Sequence, residues 1–237
     1  MILIISMRNL KYYDQQDGGT GLKRRFELLT GLPVLTRHYS EISPSSVSAV
    51  NPRSIIITGS PDPWPSYRVP DLYGLNDLLH DTKIPLLAIC QGHQLLGHCF
   101  NRNLRRIRRL CDEPMRKCRR GEPDYGAAGG HPGYYSVDSF VRVNILRRDP
   151  VFKGLGRSIW IRESHRCEVK KLPPGFIRLA ESADCACEMM RCGTRLLYGM
   201  QFHAERWQKP YFDGKTILLN FFRLALAVKA SDGGRAE

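Results

Sequence analysis

The chain has 237 residues, of which 42% are hydrophobic, so it is long and apolar enough to bury the core of one large α/β domain. No apolar run is long enough to cross a membrane, because the last one, residues 218–228, is interrupted by Asn220 and Arg223. The net charge of +13 favours an acidic or phosphate-bearing partner, and a nucleic acid is disfavoured because no recognised nucleic-acid motif accompanies the charge.

Strand and helix patterns alternate through the first half of the chain. The apolar start predicts a buried strand at residues 2–6, and it is too short for a secretion signal. Further strands are predicted at 33–37, 54–58 and 84–89, and helices at 20–30, 71–80 and 92–100. This alternation predicts an α/β fold with a mostly parallel central sheet flanked by helices on both faces.

Shorter strand patterns occupy the second half, and we predict them at residues 136–144, 176–181 and 195–201. This part is more antiparallel in character, and a helix predicted at 213–229 closes the pattern. We therefore expect a single domain over residues 1–230, followed by a flexible polar tail at 231–237.

Residues 7–20 lie outside the alternation, directly after the first strand. Loops at the carboxyl ends of strands line the sites of such folds, so this loop either contacts substrate or is a mobile part of the surface.

A basic excursion at residues 101–133 also lies outside the alternation. Its first part, the basic segment (residues 101–120), holds nine lysines and arginines against Asp112 and Glu113. The segment either docks an acidic partner, attracts a phosphate-bearing substrate or is a solvated connection. Residues 121–133, rich in glycine and proline, are expected to form a flexible loop.

The strand predicted at 84–89 ends abruptly at Cys90, and a small-residue turn and a helical pattern follow. This layout is typical of a nucleophile elbow, in which a sharp turn exposes the side chain and the next helix directs N–H groups towards it. A second strand pattern, 113 residues further on, ends at His203 and Glu205. Together the three residues supply a nucleophile, a base and a group that orients the base.

Two motifs carry a family resemblance. Residues 90–94, Cys-Gln-Gly-His-Gln, and residues 201–205, Gln-Phe-His-Ala-Glu, resemble the G-x-C-x-G-x-Q and Q-F-H-P-E motifs of class I glutamine amidotransferases. Ala88 stands at the usual glycine and Ala204 at the usual proline, and neither change removes a catalytic atom. Residues 54–61 resemble the family's oxyanion loop, and residues 163–169 resemble its S-H-x-D-x-V stretch with Cys167 at the aspartate position.

The resemblance implies a flavodoxin-like fold and a set of site residues. Cys90 would attack a γ-carboxamide carbon, His203 would move the proton and Glu205 would fix the imidazole tautomer. The backbone N–H groups of Gly59 and Gln91 would bind the oxyanion. The substrate-binding residues implied are Gln94, Ser164 and His165.

No cofactor is required by this chemistry, and no metal site is predicted. The eight cysteines include no Cys-x-x-Cys pair, and the spacing of Cys185, Cys187 and Cys192 matches no tetrahedral zinc pattern. Since no secretion signal is visible, we expect reduced thiols and a cytoplasmic protein.

The resemblance implies cleavage of a γ-glutamyl amide bond through a Cys90 thioester, releasing glutamate and ammonia or an amine. Two readings stay open: an ammonia-supplying subunit for a separate synthetase, and a stand-alone hydrolase of a phosphate-bearing γ-glutamyl conjugate. A non-catalytic scaffold is disfavoured because a binding protein does not need Cys90, His203 and Glu205.

Overall fold

The computed structural model describes residues 1–14, 20–193 and 195–232. The strands in those ranges are β1 (Ile2–Ser6), β2 (Val34–His38), β3 (Ser54–Ile57), β4 (Leu86–Ile89), β5 (Val137–Ile145), β6 (Ser158–His165), β7 (Phe176–Glu181), β8 (Met189–Cys192) and β9 (Leu197–Met200). The α-helices are α1 (Leu10–Tyr13), α2 (Thr20–Thr30), α3 (Pro44–Val50), α4 (Tyr73–Asp81), α5 (Gln91–Asn101) and α6 (Asp213–Asp232).

One sheet contains all nine of the described strands, in the order β2-β1-β3-β4-β9-β8-β7-β5-β6. The run from β2 to β9 is parallel throughout. From β9 outwards each pair of neighbours is antiparallel. The predicted α/β class and central sheet are confirmed, and β9 is the strand at which the sheet changes from parallel to antiparallel.

Both faces of the parallel strands are covered, as the continuous apolar runs in the sequence require. Leu3 and Ile5 of β1 face the layer that contains α3, α4 and α5. Ile2 and Ile4 face the opposite layer, which contains α2 and α6. These four side chains are at most 2% exposed, and each buried aliphatic side chain contributes about 1.5–3 kcal/mol.

Helix α3 was not predicted, although its capping signals stand in the sequence. Ser43 accepts a hydrogen bond from the Ser46 N–H at 3.0 Å, and the Ser46 hydroxyl accepts one from the Ser43 N–H at 2.9 Å. Pro44 at the first helical position fixes φ, and the helix ends at Asn51, whose φ is 46°. Only Val47 of the helix is buried, so the apolar period that usually reveals a helix is missing.

Strands β6 and β8 were also missing from the prediction. Alternate residues of β6 are buried, but two of them are Glu163 and His165, which break the apolar pattern expected of a strand. Strand β8 has only 4 residues, which is below the length at which periodicity is informative.

The loop predicted at 7–20 contains the short helix α1, and its residues 15–19 lie outside the described residues. The basic excursion at 101–133 is joined to the rest of the chain by two isolated bridges, Pro114 with Cys167 and Lys117 with Tyr134. Helix α6 ends at Asp232, and residues 233–237 of the predicted tail lie outside the described part. None of the helices that the structure describes is long and apolar enough to cross a bilayer.

Candidate active site

Cys90 occupies a strained elbow between β4 and α5. Its φ is 52° and its ψ is −106°, a backbone conformation that costs a non-glycine residue about 1–3 kcal/mol. The Cys90 N–H donates to the Met200 carbonyl at 2.7 Å, and the Cys90 carbonyl accepts from the Gln94 N–H at 3.0 Å. These bonds hold the thiol-bearing residue at the N-terminus of α5, where the helix dipole favours an anion.

Gly92 allows the elbow to pack closely on the neighbouring strand. A Cβ at this position would lie 2.9 Å from the Ile57 carbonyl oxygen and 2.9 Å from its Cγ2 atom. Any larger residue would therefore push α5 away from β3 and displace Cys90.

His203 and Glu205 follow β9, which is the sheet neighbour of β4. Because parallel strands end at the same edge of a sheet, the two motifs meet although they are far apart in sequence. The His203 Nδ1 atom lies 2.6 Å from the Glu205 Oε1 atom, and His203 also forms a hydrogen bond with the Cys90 side chain. The structure thus brings together all three residues predicted to be catalytic.

Electrostatics at the site favour a protonated imidazole. Burial alone would lower the pKa of His203, but the charge of Glu205 and the interactions with Cys90 raise it to about 10. Burial raises the pKa of Glu205, and the charge of His203 outweighs this effect and lowers it. At neutral pH the imidazolium can therefore stabilise a negative charge on the sulfur.

The two residues predicted to form the oxyanion hole lie beside the thiol. A Cβ on Gly59 would be 3.0 Å from the Cys90 Cβ atom and 3.1 Å from the His203 Cε1 atom. Gln91 is the first residue of α5, where backbone N–H groups have no acceptor within the helix. Its side chain donates to the Asp62 carbonyl at 2.6 Å, which ties the loop after β3 to the elbow.

A cavity of ≈ 230 Å³ opens on one side of Cys90, and Gln94 and Ser164 line it. The Ser164 carbonyl oxygen is 3.9 Å from the Cys90 sulfur. The Gln94 side chain donates to the Cys167 carbonyl at 2.8 Å and accepts from the Trp64 indole N–H at 2.9 Å. Two of the three residues predicted to bind substrate therefore face this cavity with groups that are held in place.

The ring of His165 points into a buried cluster instead. Its Nδ1 atom donates to the Cys167 carbonyl at 3.0 Å, and its Nε2 atom lies 3.1 Å from the Glu163 Oε2 atom. Glu188 completes the cluster, and burial followed by the charge of Glu163 raises the pKa of the Glu188 carboxyl well above its ordinary value. His165 therefore reaches the cavity wall through its position in the chain, and its imidazole fixes the 163–167 segment.

A second cavity, of ≈ 600 Å³, lies on the triad side of Cys90 and is bordered by Arg8, Arg25 and Arg206. Arg25 was missed in the sequence, where it is one of several basic residues of α2. Its guanidinium lies 4.2 Å from the centre of the Trp207 ring and donates to the Glu205 carbonyl, so it supports the end of the second motif.

Two groups of side chains in the described part bring metal-ligating atoms within 4.8 Å of one another. One is the buried Glu163, His165 and Glu188 cluster, and the other consists of Asp112, His131 and Cys167. Cys185, Cys187 and Cys192, which were considered as ligands in the sequence, belong to neither group. Burial and the charge of Asp112 raise the pKa of the Cys167 thiol to about 12.

These features suit acyl transfer. A thiol at a helix N-terminus, a paired imidazole and carboxylate, and converging backbone N–H groups are the parts that thioester chemistry requires. The small cavity places an amide carbonyl beside the sulfur.

Known proteins agree with this chemistry. The family model described as "Glutamine amidotransferase class-I" matches residues 22–225. The glutamine-hydrolysing subunit of the GMP synthase from Pyrococcus abyssi is 31% identical over 209 residues, which is 88% of this chain and 95% of the relative. The corresponding subunit from Thermococcus kodakarensis is 30% identical over the same shares of the two chains, 88% and 95%.

Solved structures share the fold. A protein from Thermoplasma acidophilum, described as a GMP synthase subunit, superposes with a TM-score of 0.69 at 19% identity, covering 98% of each chain. The glutaminase domain of Trypanosoma brucei CTPS, solved with bound acivicin, gives a TM-score of 0.67 at 15% identity, covering 96% of this chain and 94% of that one.

Proposed function

This chain belongs to the class I glutamine amidotransferase family, and we propose that it hydrolyses glutamine at Cys90 and supplies the ammonia to a separate synthetase. The observation that carries the proposal is the juxtaposition of Cys90, in a strained elbow at a helix N-terminus, with the hydrogen-bonded pair of His203 and Glu205.

In the proposed first half-reaction the Cys90 sulfur attacks the γ-carboxamide carbon of glutamine. The tetrahedral oxyanion accepts hydrogen bonds from the backbone N–H groups of Gly59 and Gln91, and each such donor is worth about 3–4 kcal/mol in comparable sites. His203 gives its proton to the departing nitrogen, so that ammonia leaves as the C–N bond breaks and a thioester remains.

In the second half-reaction a water molecule attacks the thioester carbon while His203 takes one of its protons. The C–S bond breaks, glutamate is released and the Cys90 thiol is restored. Glu205 stays ionised in both steps and keeps the imidazole in the tautomer that faces the sulfur.

The cavity beside Gln94 supports glutamine as the substrate. Its volume of ≈ 230 Å³ is below the 300–1,000 Å³ range of pockets that hold drug-sized ligands, so it suits one small amino acid. The relatives at about 30% identity are named as glutamine-hydrolysing subunits, which supports a division of labour with a partner that carries out the synthesis.

The basic segment offers a docking surface for that partner. Arg102 is paired with Glu113 at 2.5 Å and Arg105 with Asp77 at 2.6 Å. Arg106, Arg108 and Arg109 are exposed and form no ion pair with any residue that the structure describes. We therefore propose that these three arginines meet an acidic face of the synthetase.

A stand-alone hydrolase of a phosphate-bearing γ-glutamyl conjugate is the second candidate. It is favoured by the larger cavity on the triad side of Cys90, where Arg8, Arg25 and Arg206 would face an anionic leaving group. In both cases we propose a cytoplasmic location, in keeping with eight cysteines that are all free thiols.

Release of glutamate by the purified chain tests the proposal. Glutamine would be compared with phosphate-bearing γ-glutamyl conjugates, with Cys90→Ser as the inactive blank and Cys111→Ser, which changes an exposed thiol, as the matched control. Cys90-dependent release from glutamine that rises when the synthetase is added supports the proposal. Fast release from a conjugate alone would favour the second candidate, and activity that survives in Cys90→Ser would overturn both.

A further inference from the structure

We propose that Asp112, His131 and Cys167 form a zinc site on the wall of the glutamine cavity, and that zinc bound there excludes glutamine. The binding of zinc is independent of the proposed glutaminase activity, whereas its effect on turnover rests on that activity.

The separations between the ligand atoms fit one zinc ion. The Cys167 Sγ atom is 3.7 Å from the His131 Nε2 atom, which is 3.3 Å from the Asp112 Oδ2 atom. Ligands at about 2.3 Å for sulfur and about 2.0–2.2 Å for nitrogen and oxygen stand about 3.3–3.6 Å apart around a tetrahedral ion. A mixed set of thiolate, imidazole and carboxylate ligands is also a set that zinc accepts.

Each ligand is held by a contact outside the cluster. The Asp112 Oδ1 atom accepts the Trp64 N–H at 2.8 Å, which leaves Oδ2 directed at His131. The backbone of Cys167 is fixed by its bridge to Pro114 and by the bond from Gln94. Such outer contacts orient metal ligands and reduce the reorganisation that binding requires.

The charges also suit a divalent cation. A carboxylate and a thiolate here would be two anions in a largely buried corner, since the side chains of Asp112 and His131 are 12% and 15% exposed. The nearby Arg166 guanidinium donates to the Pro61 carbonyl at 2.6 Å. Binding of Zn²⁺ would neutralise the two ligands and release the thiol proton to solvent.

Three protein ligands leave the fourth position of a tetrahedral zinc open. Asp112 and Cys167 line the same cavity as Cys90 and Gln94, so the open position faces the space proposed for glutamine. His131 comes from the loop at residues 121–133, which the metal would fasten to the cavity wall. We therefore expect zinc to raise the KM for glutamine and leave kcat unchanged.

Zinc can also bind the catalytic thiol and imidazole, so the test uses the full chain with Cys90→Ser. Zinc titration by calorimetry is expected to show one ion per chain, and His131→Ala in the same background should weaken binding by more than about 100-fold. Adding Cys111→Ser, at the exposed thiol beside Asp112, is the matched control and should leave the affinity unchanged. Cobalt should give a thiolate-to-metal absorption band that is lost in Cys167→Ser.

Absence of stoichiometric binding to the Cys90→Ser chain, or equal affinity in the His131→Ala version, would overturn the proposal. His131 lies in a loop outside the sheet, so this variant remains informative if Cys167→Ser fails to fold. In the active chain, zinc inhibition should be competitive with glutamine, reversed by a chelator and weakened by His131→Ala. A chain that binds zinc without hydrolysing glutamine would contradict the proposed function alone.

Discussion

Replacing Glu205 with glutamine tests the electrostatic basis of the proposed mechanism. The substitution keeps the shape of the side chain and removes the charge that lies 2.6 Å from the His203 Nδ1 atom. Burial alone lowers the pKa of His203, and Glu205 is the first of the groups that raise it to about 10. The interval from an ordinary value near 6.5 corresponds to about 5 kcal/mol of preference for the imidazolium, most of which Glu205→Gln should abolish.

The expected result is a loss in kcat on the order of 10⁴-fold, as for the equivalent change in a serine triad, with little change in KM. KM should hold because Glu205 does not border the small cavity that we assign to glutamine. Steady-state glutamate release gives both constants, and the rate of iodoacetamide alkylation at neutral pH reports the reactivity of Cys90 without substrate. Both kcat and the alkylation rate should fall together.

Arg206→Gln is the matched control. Its Nε atom lies 3.9 Å from the same carboxylate, but the side chain is 52% exposed, so the pair is screened by solvent and contributes little. We expect less than about a twofold change in kcat from this variant. A Glu205→Gln enzyme that keeps kcat within tenfold of the parent, or that loses activity through KM alone, would refute the reasoning.

Three further outcomes are expected. Gly59→Ala should lower kcat about 100-fold, because its methyl group would displace the oxyanion loop, and glutamate release at normal kcat would contradict this. Arg195→Ala removes bonds of 3.0, 2.9 and 3.2 Å to carbonyls at the end of α4 and should cost about 1–2 kcal/mol, seen as a Tm lower by about 4 °C. Burial lowers the pKa of His93 to about 3 and that of His98 to about 4, so the unfolded chain protonates first and the free energy of unfolding should fall as pH drops below about 6.5. The raised pKa of His203 acts oppositely, with its stabilisation complete below about 6.5 and lost as pH rises through about 10, so urea titrations that give a flat profile would contradict both assignments.

The parallel half of the fold could be predicted because its strands are apolar on both faces and are punctuated by helices. The antiparallel half was harder, since β6 buries Glu163 and His165 at positions where a pattern search expects apolar residues. Those polar residues satisfy one another across the sheet, and that pairing appears only when β6 and β8 are placed in space. Helix α3 depends on its cap rather than on an apolar face, so its sequence signal is a capping box and not a period.

The proposed triad could be assigned from two local motifs, and the structure brings their side chains together. The contacts that support it could not be assigned, because Tyr67 and Trp64 hold Gln91 and Gln94 from a loop with no regular pattern. The same limit applies to the cluster of Asp112, His131 and Cys167. These residues come from three loops, and only the fold shows that they face one cavity.

The place of β9 in the sheet has a consequence for the order in which the molecule matures. This strand is added near the end of synthesis, yet it lies between β4 and β8 and carries His203 and Glu205 to the elbow. A nascent chain that has emerged only as far as β8 therefore displays Cys90 without its base. Hydrolysis must wait for β9 to insert into the middle of the sheet, so the growing polypeptide cannot release ammonia before the domain is complete.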